Sequence, residues 1–231
     1  MSTPPSQFTR TTMRVRRSKL MTPPSTNRPD ETGAEQFYNG PTDAVFDVAL
    51  LRQAYDEVLT LVEPMNTERH GEPLRCISLT HRPDAEDLLA DGLVSQFAPD
   101  GSMRYHEREF SRLNPMFSDT YFAVVHRSVS ALMPIGRMRL MILAPGTVYR
   151  MHADATKRAH LAIHTDPDAY LVGPDGRGHH VPADGRLRVF DTRSRHTAFN
   201  AGTTDRVHLL MSVADTERLH HTVLLTPGSQ R

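Results

Sequence analysis

From Gly136 to Val213 the chain holds no apolar period long enough for a helix. It runs as short segments broken by turn formers. Arg137–Leu143 leads into Ala144-Pro145-Gly146, and Val148–Asp154, His160–Thr165 and Tyr170–Val172 follow, the last just before Pro174-Asp175-Gly176. Arg186–Asp191, an irregular Thr192–Arg195 and Arg206–Val213 complete the series. Strands this short and this closely spaced predict an antiparallel sandwich or barrel. The fold class expected is therefore mainly β with flanking helices.

The helices come from the first half. Asp43 to Glu63 carries Val45, Phe46, Ala49, Leu50, Ala54, Val58, Leu61 and Val62 at helical spacing, with Thr42 as the expected cap and Pro64 as the stop. A second helix is expected from about Asp119 to Met133, capped by Ser118 and ended by Pro134. Residues 1–29 hold no acidic group, five arginines and Lys19, interrupted by Pro4-Pro5 and Pro23-Pro24. Such a stretch buries too little apolar surface to offset its ordering entropy. A basic disordered arm over 1–40 is the reading it supports; a targeting segment and an arm for an anionic partner are the alternatives. The division expected is arm 1–40, a helical or mixed buttress 41–135, and a catalytic β core 136–231, with 41–231 as one globular domain.

Composition narrows the function classes. Lys+Arg 27 against Asp+Glu 27 leaves no global field to recruit nucleic acid or an anionic membrane. The one cysteine, Cys76, excludes an internal disulfide framework and a thiolate zinc cluster, and reads as a small buried residue of a strand. No apolar run approaches the roughly 18 residues that span a bilayer, so a cytoplasmic protein is expected. Histidine is distributed unevenly: nine of thirteen lie between Arg150 and Arg231. Imidazole is the commonest transition-metal ligand, so this half is where chemistry is sought.

His152-Ala153-Asp154 is the first candidate, because on a strand residues two apart project to one side. His196 would complete two histidines and one carboxylate on a single face of a metal, a set that leaves positions open and suits non-haem Fe(II). An H-x-D alone is a weak signal, and surface polar residues would give the same string. Arg206 begins the alternating strand Arg206–Val213, ten residues after His196, and would share the inward face with His208, Leu210 and Ser212. Both faces of that strand look buried, and a buried arginine requires an anion, although a surface ion pair is the plainer alternative. Arg158-Ala159-His160 is a third same-side pair, offering a second cation and a donor or a satisfied structural pair. Arg139 would reach an anionic substrate group or sit in an ion pair. His179-His180 and His220-His221 read as surface loops, and Asp166-Pro167-Asp168 as a turn.

Taken together, Arg137-Met138-Arg139-Leu140-Met141, Pro145-Gly146-Thr147, His152-Ala153-Asp154, Arg158-Ala159-His160-Leu161, Phe190-Asp191 ahead of His196, and Arg206-Val207-His208-Leu209 are similar in order and spacing to one family. It is the aspartyl/asparaginyl β-hydroxylase family of Fe(II)/2-oxoglutarate-dependent oxygenases, in its bacterial proline-hydroxylase-like branch. The resemblance implies a double-stranded β-helix, a cupin-like jelly roll. It also implies His152, Asp154 and His196 as iron ligands and Arg206 for the distal carboxylate of 2-oxoglutarate. Arg158 and His160 would contact cosubstrate or substrate carboxylates. Fe(II), 2-oxoglutarate and O2 would be the cofactor and cosubstrates, with succinate and CO2 as co-products. Asp154 departs from the animal aspartyl hydroxylases, which lack that carboxylate, and Met141 stands where they place a serine beside 2-oxoglutarate.

The function expected is hydroxylation of an unactivated C–H bond in an amino acid, an amino-acid residue of a peptide, or a related small molecule, with no nucleic-acid or membrane partner. Two other readings stand beside it. A cupin-type isomerase or hydrolase would keep the metal set without needing Arg206, and a non-catalytic jelly-roll binding module would need neither.

Overall fold

A computed structural model describes residues 36–69 and 72–216. The arm expected over 1–40 lies almost wholly outside the described residues, as does His220-His221. Thirteen strands are described: β1 Tyr38–Val45, β2 Met65–Arg69, β3 Glu72–Ser78, β4 Thr80–His81, β5 Arg112–Leu113, β6 Ile135–Leu143 and β7 Thr147–Val148, followed by β8 Lys157–His164, β9 Ala169–Val172, β10 Gly178–His179, β11 Arg186–Phe190, β12 Thr197–Asn200 and β13 Arg206–Val213. A seven-stranded antiparallel sheet has the order β1-β11-β8-β13-β6-β3-β2, and a four-stranded one the order β10-β9-β12-β7. Leu143, Ala162 and Phe190 of the large sheet pack against Leu171 and Ala198 of the small one. Two antiparallel sheets closed over a shared interior make a double-stranded β-helix.

Alternation along the central strands decides what faces where. Val207, Leu209, Met211 and Val213 of β13 join Met138, Leu140 and Ile142 of β6 and Ala159, Leu161 and Ile163 of β8 in one apolar cluster. Helices α1 (Val48–Leu61) and α2 (Tyr121–Leu132) cover that face with Leu51, Ala54, Tyr55, Val58, Phe122, Val125 and Val129. The other register, with Arg206, His208, Leu210, Met141, Arg139, Arg158 and His160, lines the interior cavity between the sheets. One face is a hydrophobic core and the other a polar chamber.

Three differences from the sequence reading have local causes. The first helix begins at Val48, because the Asp47 carboxylate accepts from the Ala49 and Leu50 amides and takes the capping role expected of Thr42. Its buried face is therefore Leu51, Ala54, Tyr55 and Val58, while Leu50, Leu61 and Val45 stay exposed. The second begins at Tyr121 with Thr120 at its cap position, its hydroxyl turned back to the Phe117 carbonyl. Finally, the large sheet is not confined to residues 136–231: β1, β2 and β3 belong to it. Pro41 and Gly40 disguise β1, and they are tolerated because it is an edge strand paired with β11 alone.

Candidate active site

His152 and His196 are brought together by backbone pairing. The His152 amide donates to the His196 carbonyl (3.0 Å), the His196 amide donates to the His152 carbonyl (2.8 Å), and the Asp154 amide donates to the Thr192 carbonyl (2.8 Å). This is a single bridge rather than the strand Val148–Asp154 expected; regular pairing stops at Val148. The side chains converge all the same. One ligand atom from each of His152, Asp154 and His196 lies within 4.8 Å of the other two, and His196 Nε2 is 3.7 Å from Asp154 Oδ2.

The tautomers follow from the second nitrogens. His152 Nδ1 is 2.7 Å from the Arg150 carbonyl and His196 Nδ1 is 3.0 Å from the Ser194 carbonyl. A carbonyl only accepts, so each Nδ1 carries the proton and each Nε2 presents a lone pair. Burial lowers the pKa of His196, which keeps its imidazole neutral and able to ligate. Burial alone would raise the Asp154 pKa, but the Arg158 guanidinium, paired with and hydrogen-bonded to it, outweighs burial and holds the carboxyl well below the usual carboxylate range. Two imidazoles and an ionised carboxylate are a donor set that fits a divalent transition metal.

Arg158 lines the cavity, and its nitrogens are held by groups of the chain itself. Its Nε and Nη2 donate to Asp154 Oδ2 and Oδ1 (both 3.1 Å), Nη2 also reaches Glu107 Oε1 (3.2 Å), and Nη1 donates to the Thr156 hydroxyl. Every nitrogen is engaged, and Arg158 orients the carboxylate of the cluster. His160 Nδ1 lies 3.4 Å from His208 Nδ1; one ring donates and the other accepts. Burial, reinforced by Arg206, pushes both imidazoles well below their usual pKa and keeps them neutral. Arg139 lies on β6 opposite Leu210 and lines the cavity.

Arg206 is 4% exposed, and among the described residues no carboxylate lies within ion-pair distance of it. Burial lowers its pKa to about 10, opposed by the Tyr149 hydroxyl. The Tyr149 hydroxyl is itself buried without a hydrogen-bond partner, and burial pushes its pKa up to about 12. Both residues line the cavity. Sequence reasoning missed Tyr149; its only signal is a tyrosine on the segment leading to the H-x-D. The cavity measures about 90 Å3, several times the ~10–15 Å3 needed for one water, so it admits a small organic ligand.

His179 corrects the loop expected there. It lies on the short strand β10, its ring 5.6 Å from that of Phe37 and 5.4 Å from that of Tyr38, while His180 Nδ1 meets the Ala169 carbonyl (3.0 Å). Cys76 is buried on β3.

The fold and the cluster together define a double-stranded β-helix bearing a two-histidine, one-carboxylate set in its polar chamber. Residues 102–216 match the model of the aspartyl/asparaginyl beta-hydroxylase family, and this part of the chain belongs to that family of hydroxylases. Among solved structures, the chain is similar to an oxidoreductase of the 2OG-Fe(II) oxygenase family from Burkholderia pseudomallei (13% identity, 73% of this chain and 81% of that one, TM-score 0.46). It is also similar to a Pseudomonas putida prolyl-4-hydroxylase (15% identity, 78% and 92%, TM-score 0.44) and to a cupin domain from Bordetella pertussis (17% identity, 33% and 79%, TM-score 0.30). No curated protein matches the chain. No helix among the described residues is long and apolar enough to cross a membrane.

Proposed function

We propose that the protein is an Fe(II)/2-oxoglutarate-dependent dioxygenase that hydroxylates an unactivated C–H bond of an amino acid, an amino-acid residue in a peptide, or a related small molecule. The observation that carries this reading is the presence, in one cavity, of a metal-type donor set and a buried guanidinium with no carboxylate partner. A metalloenzyme with no anionic cosubstrate gives Arg206 no reason to be there. A buried cation is costly until it is paired, so the chamber is built for a ligand that carries an anion to Arg206.

In this reading His152, Asp154 and His196 hold Fe(II) through Nε2, a carboxylate oxygen and Nε2. The metal, when bound, supplies the chemistry that couples O2 and the oxidative decarboxylation of 2-oxoglutarate to succinate and CO2 with hydroxylation of the substrate. The chain supplies position. Arg206 takes the distal carboxylate of 2-oxoglutarate, and the Tyr149 hydroxyl donates to the same carboxylate, the role for which Met141 offers no hydroxyl. Arg158 keeps Asp154 ionised and oriented. The neutral His160–His208 pair presents polar edges without adding charge, and Leu171, Ala198 and Leu210 exclude water on the remaining walls. Arg139 is assigned to an anionic group of the substrate.

The test is conversion of 2-oxoglutarate to succinate by the Fe(II)-loaded protein under O2, screened against free amino acids and short peptides. Succinate formation that rises with one of these and is lost in Arg206→Ala supports the reading. Metal-dependent turnover of a substrate without 2-oxoglutarate would replace it with the cupin-type alternative.

A further inference from the structure

What holds Arg158 comes from outside the strands that line the chamber. Glu107 lies on a 3-10 turn, Glu107–Glu109, and is 2% exposed. Its Oε1 is 3.2 Å from Arg158 Nη2 and its Oε2 is 3.3 Å from Arg137 Nε. Arg137 is anchored in turn: its Nη1 donates to the Val94 carbonyl (2.7 Å) and its guanidinium lies 3.7 Å over the Phe110 ring. The turn sits against β6 because residue 136 is glycine; a Cβ there would fall 2.0 Å from the Glu107 carbonyl oxygen. The result is a buried row of alternating charge, Asp154, Arg158, Glu107 and Arg137, running from the metal-type cluster into the interior.

The order of charges matters for a divalent ion. Arg158 lies 3.1 Å from Asp154, so a cation held by that carboxylate meets a fixed positive charge close by. Glu107 offsets that charge at Nη2, the nitrogen it shares with Asp154, and fixes the guanidinium's orientation. Without it, Arg158 competes with the metal for Asp154.

We propose that Glu107 is a positioning residue for the metal site, holding Arg158, and through it Asp154, in place while offsetting the charge a bound divalent cation would otherwise meet. The inference rests on the reading of His152, Asp154 and His196 as that site. Groups at this remove from a metal typically change its affinity by about ten- to a hundredfold when altered.

The experiment measures Mn(II) affinity by calorimetry on the oxygen-free protein, with melting temperature recorded in parallel, for wild type, Glu107→Gln, Arg137→Met and Glu107→Gln/Arg137→Met. Glu107→Gln should weaken Mn(II) by about ten- to a hundredfold. The double variant restores the charge balance beside Asp154 and should recover most of that loss, whereas a merely structural salt bridge would show its loss and recovery in melting temperature and leave Mn(II) affinity unmoved. Arg137→Met alone should not weaken the metal. Unchanged Mn(II) affinity in folded Glu107→Gln overturns the proposal, as does a double variant that binds no tighter than Glu107→Gln. If the neutral variants do not fold, Glu107→Asp decides: several-fold weaker Mn(II) supports the proposal and equal affinity overturns it. Absence of Mn(II) binding in wild type would instead remove the metal reading itself.

Discussion

Replacing Arg206 with methionine should make the ligand-free protein no less stable while destroying its affinity for 2-oxoglutarate. Burial holds the guanidinium in the cavity with its pKa lowered from 12.5 to about 10. At about 1.4 kcal/mol per pKa unit this places the cost of the unpaired charge on the order of 3 kcal/mol. A folded-state value below the unfolded one means the cost is present throughout the pH range below about 10, and fades as pH rises from there toward 12.5. Methionine fills much of the same volume without charge, so Arg206→Met should melt at the same temperature as wild type or a few degrees higher. With ligand the sign reverses. Leaving one carboxylate of 2-oxoglutarate buried without its partner costs about 3–5 kcal/mol, or roughly a hundred- to several-thousand-fold in affinity. Arg206→Lys keeps the charge but loses the planar fork and should lie between. The assay is thermal unfolding with and without 2-oxoglutarate, together with calorimetry on the Mn(II)-loaded, oxygen-free protein. An Arg206→Met protein that is markedly less stable yet binds 2-oxoglutarate as wild type does would refute the reasoning.

Three further outcomes are expected. Tyr149→Phe removes a hydroxyl that has no partner in the ligand-free protein, so melting should be unchanged while 2-oxoglutarate binds about ten- to a hundredfold more weakly by calorimetry, as for one lost hydrogen bond to a charged group. Glu107 is subject to burial, which would raise its pKa, but Arg137 and Arg158 hold it at about 2 against an ordinary 4.5. Its contribution, roughly 3 kcal/mol, is present above about pH 4.5 and lost as pH falls through about 2. Urea unfolding across that window should show the loss in wild type and a shallower one in Glu107→Gln. Gly136→Ala should lower the melting temperature by several degrees, because its Cβ has no room beside the Glu107 carbonyl; an unchanged melting curve would mean the turn can move aside.

The parts of this site that were legible in the sequence are those set by short-range periodicity. Arg206–Val213 reads as a strand from its alternation alone, and the structure gives those bounds with the apolar residues on the helix side and Arg206, His208 and Leu210 toward the cavity. The meeting of His152, Asp154 and His196 was legible from strand geometry and family spacing, although a single bridge rather than a strand produces it. What stayed hidden depends on long-range packing. Glu107 meets Arg158 across 51 residues, from a charged turn that looks like solvated loop in the sequence. The engagement of Arg158 with Asp154 depends on side-chain reach over four residues, and the residue pattern R-x-H carries no trace of it. The orphaned hydroxyl of Tyr149 is likewise a property of its surroundings. Strand β1 was obscured because glycine and proline, which punctuate loops, are also what an edge strand tolerates.

The central claim is that His152, Asp154 and His196 form one divalent-metal site, and calorimetric titration of the oxygen-free protein with Mn(II) tests it most directly. The account predicts one tight site per wild-type chain, lost in His152→Ala, Asp154→Ala and His196→Ala while the melting curve of each variant still shows a folded protein. Mn(II) binding by His196→Ala with wild-type affinity, or no binding by wild type, would contradict it.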